Sequence, residues 1–325
     1  MRRGSVPLLF VLTATAVAAG RSPDVTTPAA AGPVAVAGHG LPNSVLRRRP
    51  LPFYYDLYTF RGPSAGSTAV IAAFAVPVNR LEREHHDGGV RYRFDVSFVL
   101  ADTAQRTVRR AMDSMYVAVP HALSGEHLLY TQIQLLAPPS ASTLQRVVMT
   151  DVTKPGIGQL YTTPFTIPDY SGTDLMISDI ALGVPDETGG WKRGDVRLAL
   201  LPTSQFPGGS FDLYYEIYNL PRDHQYETEV TVEALDDTGK PQDDVAPVVT
   251  RFSAVAETRP DGILPELRRV DTSMERGRYR LTVTVKDEVT GRSASRSRLL
   301  LVRDWAPGVT LVPALPAAVR HRASE

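Results

Sequence analysis

The chain has 325 residues, 43% apolar and 22% charged, enough for about two domains with proper cores. Lys plus Arg and Asp plus Glu number 35 each, so no global field draws the chain to nucleic acid or anionic lipid. With no cysteine, a structural disulfide, a thiolate zinc site, a cysteine nucleophile and a lipid-anchored cysteine are all excluded.

Taken in chain order, the first twenty residues come first. Arg2 and Arg3 precede the apolar stretch Val6 to Ala19, and small residues Ala18 and Gly20 sit ahead of Arg21. The stretch is too short to cross a bilayer comfortably, so residues 1–20 are expected to be a secretory signal peptide cleaved before Arg21. No other run reaches spanning length. The mature chain is therefore expected to be exported, periplasmic or extracellular, with no membrane insertion after signal removal. Residues 21–50 are rich in Pro, Ala, Gly and Ser, end in Arg47, Arg48 and Arg49, and read as a flexible leader.

From residue 51 the pattern is strand after strand. "FYYDLY" puts Phe53, Tyr55 and Leu57 on one face and Tyr54, Asp56 and Tyr58 on the other. "TAVIAAFAVP" is β-rich and stops at Pro77. "YRFDVSFVL" alternates, with Tyr92, Phe94, Val96, Phe98 and Leu100 inward and Arg93, Asp95 and Ser97 outward. "SMYVAVP", "HLLYTQIQLL", "LQRVVMTD" and "LYTTPFTIPDY" follow, separated by Gly- and Pro-bearing turns. Short strands with such punctuation predict a sandwich or barrel rather than βαβ units. Only "LPELRRVDTSMERG" leaves room for a short helix or turn.

The second half repeats the grammar. "LYYEIY" matches "FYYDLY" position by position, "YETEVTVEALD" from Tyr226 matches "YRFDVSFVLAD" from Tyr92, and the segment from Tyr279 to Trp305 aligns without a gap to that from Leu144 to Tyr170. Three anchors in one order predict an all-β fold of two tandem immunoglobulin-like antiparallel β-sandwiches related by internal duplication. The expected divisions are residues 51–170 for domain 1, 171–204 for a linker with one strand, 205–305 for domain 2, and 306–325 for a C-terminal tail.

Catalytic motifs were weighed against their structural contexts. Gly62 to Gly66 fits G-x-S-x-G, but a nucleophile elbow needs a strand before the serine and a helix after it, and a strand follows Ser64. His85, His86 and Asp87 lack the partners a metal needs. The acidic stretch 236–244 lacks full calcium-loop spacing and reads as a hairpin turn. Arg193-Gly194-Asp195 is a tripeptide common by chance. No catalytic residue, no metal site and no cofactor is expected. One face remains as the binding candidate: Tyr54, Asp56 and Tyr58 with Tyr214, Glu216 and Tyr218. The alternative for these six is a structural face on which tyrosine hydroxyls satisfy the carboxylates. Repeat-equivalent residues of tandem domains need not meet.

"LMISDIAL", "FDLYYEIYNL", "GRYRLTVTVKDEVTGR" and "LLLVRDW" together resemble the β-rich region of bacterial GWxTD-domain proteins, over residues 50–305. The namesake motif is missing, since "GWKRGD" lacks the Thr-Asp placement. The resemblance implies export and β architecture and transfers no catalytic residue. The expected function is that of a non-enzymatic binding or scaffolding protein of the cell envelope, with a protein or glycan partner. A hydrolase with its site between the domains and a carbohydrate-binding accessory module, its tyrosines stacking on rings, are the alternatives.

Overall fold

Sheets that face solvent on one side and sheets buried on both sides are distinguished by their sequences. The computed structural model describes residues 51–102, 107–125, 127–154, 158–186, 188–202, 210–270, 274–302 and 310–316. The expected signal peptide and leader, residues 1–50, and the anchors Gly156, Asp304 and Trp305 lie outside them. The first unit carries β1 (Tyr54–Arg61), β2 (Thr68–Pro77), β3 (Arg83–His86), β4 (Gly89–Asp102), β5 (Thr107–Val119), β6 (His127–Ala137), β7 (Ser140–Asp151) and β8 (Gly158–Ile167). The second carries β9 (Met176–Ile177), β10 (Ala181–Pro185), β11 (Trp191–Arg193), β12 (Val196–Leu200), β13 (Phe211–Tyr218), β14 (Gln225–Leu235), β15 (Val248–Val255), β16 (Ile263–Val270), β17 (Gly277–Asp287) and β18 (Ser293–Val302). Two short strands close the chain, β19 (Thr310–Pro313) and β20 (Leu315–Pro316). The described residues are all-β apart from one 3-10 turn at Val78–Arg80.

Each unit is a sandwich of an inner and an outer sheet. The first inner sheet runs β1-β2-β6-β19 and the first outer sheet β20-β5-β4-β7-β8, with β3 on β4. The second inner sheet runs β11-β12-β10-β13-β16, with β9 on β13, and the second outer sheet β15-β14-β17-β18. The outer sheets alternate cleanly. On β4 the expected inward set Tyr92, Phe94, Val96, Phe98 and Leu100 is buried, facing Val147 and Met149 of β7. On β14 and β17, Tyr226, Val230, Leu281, Val283 and Val285 do the same.

The inner strands do not alternate, because both their faces are covered. On β2, Val70, Ala72, Phe74 and Val76 enter the first core, while Ala69, Ile71 and Ala73 point the other way into a separate cluster. Every residue of β13 is buried. The cluster between the units joins Tyr58, Phe60, Ala69, Ile71 and Ala73 to Ala181, Trp191, Leu198, Leu200 and Tyr214. The inner sheets therefore pack on each other, and the molecule is a stack of four sheets.

Four expectations are corrected. Residues 171–204 are more than a linker with one strand, since β9 to β12 lie there and join the second inner sheet. Within the expected 306–325 tail, residues 310–316 join the first sandwich, where β19 pairs in parallel with β6 and β20 antiparallel with β5. Residues 263–270 form β16 rather than a helix, because β13 offers that segment an eight-rung ladder. The fourth correction concerns the repeat. The outer-sheet order β5-β4-β7-β8 recurs as β15-β14-β17-β18, and the inner order β1-β2-β6 as β10-β13-β16. That makes β10, not β13, the counterpart of β1. "FYYDLY" and "LYYEIY" occupy different places in the two sheets, and Phe53 and Leu213 are not equivalent. The third anchor is shifted by one residue. If Val96 corresponds to Val230, their ladder partners Met149 and Val283 correspond, whereas the gapless alignment put Arg146 on buried Leu281. A one-residue slip exchanges the two faces of a strand.

Asp287 closes the β17–β18 hairpin. It accepts from Thr290 Oγ1 at 2.6 Å and the Val289 N–H at 3.0 Å, and its Oδ2 lies 3.0 Å from His224 Nδ1. Burial pushes its carboxyl up, but the bonds from Thr290, His224 and the backbone outweigh that and lower it from 3.8 to about 2. The folded pKa lies below the unfolded one, so this stabilisation is present above the unfolded value and is lost as pH falls through about 2. Asp287→Asn should lower stability at neutral pH and reduce the loss of unfolding free energy in acid. Urea titrations of both proteins between about pH 5 and pH 2 check this; identical acid profiles would contradict it.

Candidate functional site

The six candidate residues lie on the surfaces where the two inner sheets meet. Strand alternation that sends Phe53 and Leu57 into the first core sends Asp56 and Tyr58 the other way, and the same rule turns Tyr214, Glu216 and Tyr218 away from the second core. Both faces point at the same seam. Asp56, Tyr58, Tyr214, Glu216 and Tyr218 are each at most 3% exposed. As the molecule stands, none of these five offers a ring or carboxylate to solvent. Tyr54 is half-buried and lines a cavity of about 10 Å³ with Ala75, Leu128, Tyr130, Leu200, Leu201, Pro202 and Leu311, room for about one water.

Two arginine clamps hold the acids, and the candidate set divides between them. Glu216 receives Arg193 bidentately, Nε at 2.7 Å and Nη2 at 2.8 Å, and also accepts from the hydroxyls of Tyr214 at 2.8 Å and Tyr218 at 2.7 Å. Arg193 Nη2 donates onward to the Arg61 carbonyl at 2.8 Å, and the Arg61 N–H donates to Tyr218 Oη at 2.8 Å. The Arg61 guanidinium also lies over the Tyr218 ring at 4.3 Å. Burial, then the Glu216 charge, pushes the Tyr218 hydroxyl well above its ordinary value. Arg193 reaches this place because Gly194, with φ of +58°, turns the chain between β11 and β12. The Arg193-Gly194-Asp195 tripeptide is thus a hairpin whose arginine is committed inside the molecule.

Asp56 belongs to the second clamp. Arg298 Nη1 lies 2.9 Å from Asp56 Oδ2, and its Nη2 donates to the Leu57 carbonyl at 2.8 Å. Its guanidinium stands 4.2 Å from the centre of the Tyr58 ring, whose hydroxyl donates to the Leu201 carbonyl. Arg296, two residues earlier on β18, donates from Nε to Asp179 Oδ1 at 2.7 Å. Burial raises the Asp179 carboxyl, but Arg296 and then Arg298 more than compensate and hold it low.

Asp179 is also the stitch between the sheets. Its N–H donates to the Thr59 carbonyl at 3.0 Å, and its Oδ2 accepts from Thr59 N at 2.8 Å and Oγ1 at 2.7 Å. One residue earlier, Ser178 N–H donates to the Glu216 carbonyl and Glu216 N–H to Ser178 Oγ, both at 2.9 Å. The segment Ser178–Asp179 therefore hydrogen-bonds to β1 on one side and β13 on the other. Beside these clamps, Phe60 stacks on Trp191 at 5.1 Å, and Trp191 meets Tyr214 edge-on at 5.5 Å.

Sequence reasoning missed Arg193, Asp179, Arg296 and Arg298. A signal existed for three of them. Arg296 and Arg298 share the phase of buried Leu300 and Val302 on β18, and Asp179 interrupts an apolar run; a charge on the inward phase of a strand needs a partner. The acid positions Asp56 and Glu216 both line the seam but are held by different arginines. Ser64 is exposed on the β1–β2 turn, where its hydroxyl meets that of Ser67. His85 and His86 end β3, and Asp236 accepts from Thr238 and Lys240 within its own turn. Among the described residues no three His, Asp or Glu side chains converge as a metal site.

Tyr214→Phe removes one hydrogen bond to a buried carboxylate. It should cost about 1.5–3 kcal/mol of unfolding free energy, read by urea denaturation. No change would mean that the Tyr214 hydroxyl does not hold Glu216.

Neither a protein-family model nor a curated protein matches the chain. Among solved structures, a Bacteroides uniformis β-glucuronidase is 9% identical over 74% of this chain and 26% of its own, with a TM-score of 0.25. Red sea bream transglutaminase is 13% identical over 77% of this chain and 31% of its own, with a TM-score of 0.19. The chain spans about a quarter to a third of the length of these proteins.

Proposed function

We propose that the chain is an exported, non-enzymatic binding or scaffolding protein of the cell envelope, acting as one rigid body of two sandwiches whose outer surfaces meet a protein or glycan partner. The observation that supports this reading is the seam. The aromatic and acidic side chains that a ligand face would expose are spent on joining the two units, so recognition falls to the remaining surface and strand edges. The same seam fills the space in which the alternative hydrolase reading puts its site. It also covers five of the six tyrosines and acids that a sugar-stacking module would use. Export rests on residues 1–20 and on the GWxTD-like strand motifs. The recurring strand order supports descent of the two sandwiches by duplication, on the corrected pairing of strands.

The test is retention. The mature chain, immobilised, should hold a defined envelope protein or glycan saturably, and should not turn over a panel of ester, glycoside and peptide substrates. Turnover by the purified chain would overturn the reading.

A further inference from the structure

The segment that closes the first sandwich follows every other strand in the chain and rests on both units. There β19 adds in parallel to β6, the Ala314 N–H donates to the Tyr130 carbonyl at 2.9 Å, and β20 pairs antiparallel with β5 through Leu315 and Pro316. Val312 and Ala314 enter the first core, while Leu311 joins the cluster of Ala75 and Tyr130 with Ala199 of β12. Against the segment lies the β10–β11 turn of the second unit. Its Asp186 accepts from the Tyr130 hydroxyl, and its Gly189 carbonyl accepts from Gln132 Nε2 at 3.3 Å. A Cβ at Gly189 would stand 2.7 Å from Pro313 Cβ and 3.2 Å from a Leu315 methyl carbon. The turn comes this close because residue 189 has no side chain. The segment thus sits in a slot, with β6 and β5 of the first unit on one side and the turn of the second unit on the other.

The hold on it is light. Its parallel ladder has four rungs and its antiparallel ladder two, against ten between β2 and β6. Parallel pairing is the weaker kind, and Pro313 and Pro316 have no N–H to donate. Of residues 311–316, Ala314 alone is buried, and Leu315 is 36% exposed. Leu311 also lines the small cavity beside Tyr54, so its packing toward the second unit is incomplete. Elements held by so few contacts open well below the free energy of global unfolding.

We propose that residues 310–316 are a detachable latch, and that the slot between β6, β5 and the β10–β11 turn is a strand-binding site whose ligand is this segment of the same chain. The site takes an extended, uncharged stretch with compact apolar side chains on the inward phase, as Val312 and Ala314 supply. Closed, the latch covers the edges of β6 and β5 and ties the second unit to the first. Open, it bares both edges while the four-sheet stack persists. This goes beyond the binding reading and does not depend on it.

The chain has no cysteine, so a single introduced thiol reports the opening. In the whole chain, the thiol of Ala314→Cys should react with a thiol reagent at a rate that low urea leaves unchanged, because opening exposes little surface. The thiol of Val96→Cys, in the first core, should react more slowly and only through urea-dependent global unfolding. Free peptide of residues 310–316 should speed the labelling of Ala314→Cys, since a peptide in the slot holds the latch out. The same peptide carrying Ala314→Glu should not. Adding Gly189→Ala should raise the labelling of Ala314→Cys at least about fivefold, the low end of what overpacking costs, and leave that of Val96→Cys unchanged. Hydrogen exchange at the Ala314 amide of the unaltered chain, with its urea dependence, reads the same opening if the thiol itself loosens the segment. Opening with the urea dependence of the core would make the segment an integral strand and overturn the latch. Urea-independent opening that ignores the peptide would make it a frayed end and overturn the site. Indifference to Gly189→Ala would remove the second unit from the slot and overturn the seat as described. Concentration-dependent dimers dissolved by the peptide would put the segment in the slot of a second copy and overturn its assignment to the same chain.

Discussion

Arg298→Ala should lower the unfolding free energy by about 3–5 kcal/mol, the usual cost of removing one partner from a buried ion pair. The reason is local. Arg298 is 9% exposed at its side chain and Asp56 2%, so truncation takes the Arg298 cation from a carboxylate that water does not reach. The Leu57 carbonyl and the face of the Tyr58 ring lose the same guanidinium. Asp179 keeps Arg296, so the damage should centre on Asp56. Adding Asp56→Asn to Arg298→Ala should therefore recover part of the loss, because a neutral amide needs no counter-charge. Urea denaturation of the two single variants and the double variant reads this as a coupling energy. A loss below about 1 kcal/mol, the scale of a solvent-exposed pair, would mean that the two sandwiches are not closed on each other.

Val96→Asp is expected to have an effect of at least that size. Val96 has no exposed surface and stands on β4 opposite Met149, between Phe94 and Phe98 of the same inward row. A carboxylate there has no cation and no donor within its row, so it is buried either charged or as an unsatisfied acid. The cost should exceed about 4 kcal/mol. Against a total stability of about 5–15 kcal/mol, that leaves the first sandwich marginal. The urea midpoint should fall sharply, with Val230→Asp doing the same to the second sandwich. A variant that keeps the parent midpoint would place Val96 outside the core.

The outer layers were legible in the sequence because one of their faces is wet. "YRFDVSFVL" and "YETEVTVEAL" alternate as half-buried strands must, and the inward residues of the first were named correctly from phase alone. The four-sheet stack was also written, in a different signal. "TAVIAAFAVP" has no polar phase, which is how a strand covered on both faces reads, and its alanines at 69 and 73 let the second inner sheet come close. Read only as β-rich, the run did not disclose what covers its second face. The repeat misled at its most conspicuous point. "FYYDLY" and "LYYEIY" look alike because both line the seam, not because they hold the same place in each sandwich. Their spacing of about 160 residues against about 135 for the other anchors already marked them as a different relation. Arg193 could not be placed from local sequence, since a hairpin tip says nothing about which distant carboxylate it will meet.

The seam itself is open to one direct observation. The chain has two tryptophans, and Trp191 stacks on Phe60 across the two units with ring centres 5.1 Å apart. In perdeuterated protein with protonated Phe and Trp, the closed stack predicts a nuclear Overhauser effect between the Trp191 indole and the Phe60 ring. If both resonances are sharp and contacts within each sandwich are present, but that cross-peak is absent, the two inner sheets do not meet and the account is contradicted.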